Sequence, residues 1–190
     1  MLDYCDIQTP ITVWESILKM NPIEKDNIFL EPFAGENSLF DLVECIEKDW
    51  CEITKGKNIF DYDFQKSNVM CIYTNPPYVA DIPNKKGKFK SRNAVYYFLE
   101  LFMNKLTKLK KIGFIMNMKC FNSLTPKRLA KLKKIGFTIT NITLFNCNFW
   151  YGLQLFVVFE KNSDNNSFQF IENVFTKPIN NILEKQLKEN

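Results

Sequence analysis

Val69-Met70-Cys71-Ile72-Tyr73 runs through Thr74 straight into Asn75-Pro76-Pro77-Tyr78. A continuous apolar run of this length has the pattern of a strand buried on both faces. Such strands belong to parallel sheets covered by helices, so strands and helices should alternate on either side of it. They do. Upstream, Thr9-Pro10 marks a helix start, because Thr suits the N-cap and Pro the first helical position. Val13, Trp14, Ile17 and Leu18 recur at helical spacing until Asn21-Pro22. Residues 28–30 read as a short strand, Glu31-Pro32-Phe33-Ala34-Gly35 as the turn after it, and residues 37–45 as a brief helix. Residues 50–53 read as a second strand with Glu52 near its end. Downstream, residues 79–92 are polar and basic, with Pro83 and Gly87, and read as a loop. Val95, Phe98, Leu99, Phe102, Leu106 and Leu109 outline a long amphipathic helix. Residues 112–118 form another strand. Thr125-Pro126 caps a helix with Leu129, Leu132 and Ile135 on its apolar side, and Gly136 stops it. Residues 137–145 and 153–160 are two last strands. The connection between them is short enough for a hairpin, which makes them antiparallel.

This order predicts a layered α/β fold with a mostly parallel sheet and helices on both faces. Ligands in such sheets bind beyond the carboxyl ends of the strands. Residues 31–37 and 75–78 both follow strands directly, so they share that edge. Residues 1–161 are expected to form one domain, with residues 162–190 as a linker and tail, and no separate recognition domain.

The composition narrows the chemistry. With 190 residues, 46% of them hydrophobic, the chain suits one domain with one core. It contains no histidine, which removes Ser-His-Asp and Cys-His nucleophilic mechanisms. The 6 cysteines show no C-x-x-C spacing, so neither a zinc site nor a disulfide framework is expected. No apolar run is long enough to span a bilayer, and no signal segment opens the chain, so an intracellular location is expected. Net charge is only +4, but the positive charge is clustered. Lys85, Lys86, Lys88, Lys90 and Arg92 fall in the loop after Tyr78 with no acid among them. Lys127, Arg128, Lys131, Lys133 and Lys134 form a second group, and Lys105, Lys108, Lys110 and Lys111 a third. Clusters of this kind attract phosphate.

In Asn75-Pro76-Pro77-Tyr78 two prolines fix the backbone and remove two N–H donors. What remains on offer is acceptors: the Asn75 side-chain carbonyl and the Pro76 backbone carbonyl. Both can accept from an amine, and Tyr78 adds a flat face for a planar group. The tetrapeptide thus has the makings of a receptor for an amino group on a planar ring.

The same tetrapeptide after a strand, downstream of Glu31-Pro32-Phe33-Ala34-Gly35, resembles the S-adenosylmethionine-dependent amino-methyltransferases, above all the DNA adenine-N6 enzymes. The order of the two motifs is that of their gamma-type arrangement. The resemblance implies a Rossmann-like methyltransferase fold with a mostly parallel seven-stranded sheet, a C-terminal antiparallel hairpin and helices on both faces. It implies S-adenosylmethionine as cofactor and no metal. It assigns cofactor contacts to Thr9 and Pro10, to Glu31, Pro32, Phe33, Ala34 and Gly35, to Glu52 at the ribose, and to Asp61 or Asp63 at the adenine, with Asp61 preferred. It gives catalysis to Asn75, Pro76, Pro77 and Tyr78, with Asn75 also beside the cofactor. The family turn usually continues with a small residue and a second Gly, whereas this chain has Glu36-Asn37. Asn tolerates a left-handed backbone better than most residues, which would keep the turn. The short stretch between the motifs implies a trimmed first helix.

The reaction so implied is methyl transfer to an amine nitrogen whose lone pair is delocalised into a ring. Acceptors on its two N–H bonds would aim the lone pair and stabilise the nitrogen as it becomes tetrahedral. A duplex base would have to leave the stack. Tyr78 would stack on one face of it, with Phe149, Trp150 or Tyr151 as candidates for the other. The residues 85–92 loop would contact phosphate. DNA is the preferred partner. RNA bases and protein glutamine are the other substrates the tetrapeptide fits, and a partner subunit could supply target recognition. A different class of reading is a non-catalytic subunit that binds nucleic acid or a partner enzyme.

Overall fold

Leu30 and Phe29 are neighbours on one strand, yet they belong to two separate hydrophobic clusters on opposite faces of a sheet. The computed structural model describes residues 9–80, 89–145, 153–163 and 170–171. In chain order its elements are α1 (Ile11–Met20), β1 (Ile28–Glu31), α2 (Ser38–Leu42), β2 (Glu47–Trp50), two 3-10 turns (Ile53–Lys55 and Ile59–Asp61), β3 (Cys71–Thr74), β4 (Val79–Ala80), β5 (Phe89–Lys90), α3 (Ser91–Lys105), β6 (Lys111–Asn117), α4 (Met118–Phe121), α5 (Pro126–Lys134), β7 (Phe137–Phe145), β8 (Gln154–Lys161) and β9 (Phe170–Ile171).

The sheet order is β2-β1-β3-β6-β8-β7-β9. Strands β2, β1, β3 and β6 are mutually parallel, and β8 runs antiparallel between β6 and β7. The C-terminal hairpin pairing expected from the sequence is therefore present. The expected seven strands become six full ones: β9 adds only a two-residue parallel pairing at the outer edge of β7. Strands β4 and β5 pair separately as a small antiparallel ribbon.

Side chains alternate along the strands, and each face buries its own helices. Leu30, Ile72, Ile112, Phe114, Val157 and Phe159 lie under α3 and α5, together with Phe98, Phe102 and Leu132. Phe29, Cys71, Tyr73, Ile115, Phe156 and Val158 lie under α1 and α2, together with Val13, Trp14, Ile17 and Leu39. Burying each large side chain of this kind is worth about 1.5–3 kcal/mol. The four described cysteines, Cys45, Cys51, Cys71 and Cys120, are free thiols. Among the described residues no helix is long and apolar enough to cross a membrane.

Four local expectations need correction. Strand β2 occupies 47–50 rather than 50–53. It is an edge strand bonded only to β1, and its Glu-Lys-Asp-Trp sequence is half exposed, so no apolar pattern marks it. Residues 79–92 are more than a loop, since β4 and β5 flank residues 81–88 and α3 begins at Ser91. Helix α3 ends at Lys105, although Leu106 and Leu109 beyond it stay buried. Met118 begins α4 rather than ending the strand, because the Asn117 side chain accepts from Cys120 N at 2.9 Å and caps a new turn. The trimmed first helix is confirmed: α2 has 5 residues.

From β1 the chain moves to β2 on one side and returns to β3 on the other. The carboxyl ends of β1 and β3 flank this switch point, where doubly wound sheets bind ligands.

Candidate functional site

The turn after β1 is stitched to the residues after β2. Cys51 N donates to Glu31 O at 2.9 Å, and Ala34 N donates to Cys51 O at 2.9 Å. Gly35 takes a left-handed backbone at φ 51°, which costs glycine little. Its N–H donates to Glu52 Oε2 at 2.9 Å. The other Glu52 oxygen accepts from Thr54 N at 3.0 Å and Thr54 Oγ1 at 2.8 Å. Asn37, standing where the family has glycine, is left-handed at φ 67°, so the turn keeps its course into α2. Pro32 and Ala34 are buried, and Phe33 packs edge-on against Phe98 at 4.7 Å between centroids.

At the end of β3, Asn75 Nδ2 donates to Thr9 Oγ1 at 3.1 Å. Thr9 therefore does not cap α1: Pro10 takes the N-cap position, with no side-chain cap bond. Pro76 is buried, and Pro77 and Tyr78 are half-buried. The Tyr78 phenol lies against the Asn117 backbone at the end of β6, and burial pushes its pKa up.

Among the described residues, three buried oxygens at these strand ends have no hydrogen-bond partner, Glu31 Oε2, Thr74 Oγ1 and Asn75 Oδ1; the Tyr73 hydroxyl and Asn141 Oδ1 share that state elsewhere in the sheet. Strands β1 and β3 are adjacent and parallel, so the three lie at neighbouring strand ends, with Glu31 on the face of Phe29 and Thr74 on the face of Ile72. Burial raises the Glu31 pKa well above the ordinary carboxylate range. The charges of Asp41 and Glu52 add to this, while the Phe40 backbone and Lys55 oppose it.

Asp61 ends the second 3-10 turn and is exposed; its backbone N–H donates to Asn58 O at 3.0 Å, and its carboxylate has no hydrogen-bond or ion-pair partner among the described residues. Asp63 pairs with Lys66, accepting from its ammonium and its backbone N–H, each at 3.2 Å. Of the two acids, Asp61 is the uncommitted one. Lys85, Lys86, Lys88, Phe149, Trp150 and Tyr151 lie outside the described residues. Lys90 and Arg92 belong to β5 and α3 by their backbones. The sequence reading missed Ile53, which is 70% exposed directly after Glu52. An isoleucine among polar residues was its signal, but it passed for part of a strand. Asn117, which backs Tyr78, gave no sequence signal at all. A groove of about 280 Å³ at the amino end of β1 is lined by Ile28, Glu47, Asp49, Tyr62, Asp63 and Lys66, and so includes Asp63.

No protein-family model matches the chain, and no curated protein matches it. Solved structures do match. One from Listeria monocytogenes, provisionally described as a class I S-adenosylmethionine-dependent methyltransferase, superimposes with a TM-score of 0.61 at 13% identity, over 99% of this chain and 73% of that one. The methyltransferase subunit of a type I restriction-modification system from Streptococcus thermophilus gives 0.57 at 15% identity, over 97% of this chain and 53% of that one. A provisionally described RNA methyltransferase from Pyrococcus horikoshii gives 0.51 at 14% identity, over 78% of this chain and 82% of that one. What this chain shares with them is the Rossmann-like methyltransferase fold. It spans about half the length of the restriction-modification subunit.

Proposed function

We propose that this chain binds S-adenosylmethionine and transfers its methyl group to the exocyclic N6 amine of adenine in DNA. The observation that carries the proposal is the trio of buried, unpartnered oxygens, Glu31 Oε2, Thr74 Oγ1 and Asn75 Oδ1, at adjacent strand ends. Buried polar oxygens are ordinarily paired, so a trio of this kind calls for donors from bound molecules.

The residues present fit the cofactor. Bound there, S-adenosylmethionine supplies a methyl group on a positively charged sulfur. Glu31 is a buried acceptor suited to a cationic group. Gly35 brings the backbone close. Each Glu52 oxygen accepts from protein donors yet keeps lone-pair capacity for a ribose diol. Ile53 offers an apolar face and Asp61 a free carboxylate for the adenine.

The amine is the task of Asn75. With Nδ2 tied to Thr9, its amide presents Oδ1 as an acceptor. Together with the Pro76 carbonyl it would hold both N–H bonds and direct the nitrogen lone pair. These acceptors strengthen their hold as positive charge grows on nitrogen, which is where stabilisation accelerates a reaction. Holding the nitrogen in place supplies much of the remainder. Tyr78 stacks on the base, and the basic residues Lys85 to Arg92 contact phosphate. A partner subunit supplying target recognition belongs to this reading.

The test is transfer of labelled methyl from S-adenosylmethionine to DNA, RNA and protein in parallel, with Asn75→Ala as control. Label on DNA adenine that disappears in the variant supports the proposal. Label confined to RNA or protein changes the substrate and keeps the site. No label, together with no cofactor binding by calorimetry, overturns the enzyme reading in favour of a binding subunit.

A further inference from the structure

We infer that the outer face of α3 and α5 is a docking track for a nucleic-acid strand, with Lys127, Lys131 and Lys134 meeting phosphates and the Tyr96–Arg128 pair serving as a stacking platform. The inference rests on the proposed nucleic-acid substrate and extends it to a surface outside the catalytic edge.

Helix α5 carries Lys127, Arg128, Lys131, Lys133 and Lys134 and no acid. Leu132 is buried in the core, which turns the opposite stripe outward. Lys127, Lys131 and Lys134 stand at i, i+4 and i+7 on that stripe, and all three are exposed. Lys131 pairs with Glu100. Lys127 and Lys134 have no acid partner among the described residues. Cations in the last turn of a helix complement its dipole, but Lys127 in the first turn opposes it. Helix stability therefore does not account for Lys127, whereas a polyanion would.

The Arg128 guanidinium lies 4.4 Å from the Tyr96 ring centroid and donates to Ser123 O at 3.0 Å. Tyr96 in turn donates to Glu100 at 3.3 Å. The pair is thus tethered at both ends, and bases stack on aromatic rings and guanidinium groups without regard to sequence.

The topology places this platform beside the proposed chemistry. Strand β6 is parallel to β3, so its carboxyl end shares the edge that carries Asn75. Helix α4 follows β6, and α5 starts soon after it. Tyr78 lies against Asn117, the cap of α4, and Arg128 holds Ser123, which follows α4. A strand whose base sits at Asn75 and Tyr78 would cross α4 and reach Tyr96, Arg128 and the lysine stripe.

The experiment is fluorescence anisotropy of labelled single-stranded DNA and RNA oligonucleotides across a salt series, without cofactor. Removing three phosphate contacts lowers the slope of log K against log salt by about 2 for a single strand. The combined Lys127→Gln, Lys131→Gln, Lys134→Gln variant should show that change and bind about tenfold more weakly. The corresponding triple Arg variant should bind like the unaltered chain. Tyr96→Leu should weaken binding roughly fivefold with the slope unchanged. An unchanged slope in the triple Gln variant overturns the inference. So does an unaltered chain that binds anionic vesicles but neither oligonucleotide. The readout needs no turnover, so failure of methyl transfer and failure of this track are separate results.

Discussion

Thr9 and Asn75 lie 66 positions apart and share a 3.1 Å hydrogen bond in which the Asn75 amide donates to the Thr9 hydroxyl. With Nδ2 committed to Thr9, Oδ1 is left as the acceptor. Thr9, which the family resemblance assigns to the cofactor, is proposed instead as a positioning residue for Asn75. Thr9→Val should lower kcat about tenfold, equivalent to one lost hydrogen bond of about 1.4 kcal/mol, and leave cofactor affinity unchanged. Thr9→Ser should restore the rate. Steady-state kinetics with calorimetry of cofactor binding separates the two roles. If Thr9→Val weakens cofactor binding and spares kcat, the residue serves the cofactor directly.

Glu52 holds the cofactor turn as well as being a candidate ribose ligand. Glu52→Ala removes acceptors from Gly35 N, Thr54 N and Thr54 Oγ1. The loss should cost about 1–3 kcal/mol of stability, measured by urea denaturation without cofactor. Cofactor binding should fall as well. A variant with unaltered stability would show that Glu52 does not brace the turn.

The strands that lie between two helical layers were legible because burial on both faces leaves an apolar run, as at Cys71–Thr74 and Lys111–Asn117. Strand β2 was not, because an edge strand with a half-exposed face carries Glu47, Lys48 and Asp49. The two motifs were legible because Pro76, Pro77 and Gly35 constrain the backbone wherever they occur. Asn37 was readable as a left-handed residue and is one. The Asn75–Thr9 bond and the Gly35–Glu52 bond were not readable, since each depends on tertiary placement and leaves no spacing in the sequence. Asn117 was hidden for the same reason: it looked like one more strand residue until its side chain was seen to cap α4.

Gly113 sits in β6 between two aromatic rings. A Cβ there would meet Phe156 at 2.3 Å and Tyr73 at 2.7 Å, both rings being fully buried. Those rings already pack edge-on at 4.9 Å between centroids, so neither can yield without disturbing the other. Gly113→Ala should destabilise the fold by about 1–3 kcal/mol, the range for overpacked cores. Gly56, with φ 77° and open space around it, should lose only about 1–2 kcal/mol on the same change, from backbone strain alone. Thermal unfolding of the two variants tests the contrast. A neutral Gly113→Ala would mean that the sheet adjusts there.

Glu31 should make stability depend on pH in a direction opposite to that of a salt-bridged carboxylate. Burial raises its folded-state pKa above the ordinary value. Between the unfolded and folded pKa values the folded chain holds the proton more tightly, so unfolding releases it. The contribution of Glu31 is therefore complete below the unfolded pKa and is lost as pH rises through the folded one. Glu31→Gln removes the titration and keeps the shape. The difference in unfolding free energy between the two proteins, measured by urea denaturation from about pH 4 to about pH 9, should move steadily in favour of the Gln variant as pH rises. Other titrating groups are common to both proteins and cancel in the difference. A difference that stays constant across the range would show that Glu31 ionises in the folded chain as it does in the unfolded one, and that its burial is relieved by a donor at Oε2.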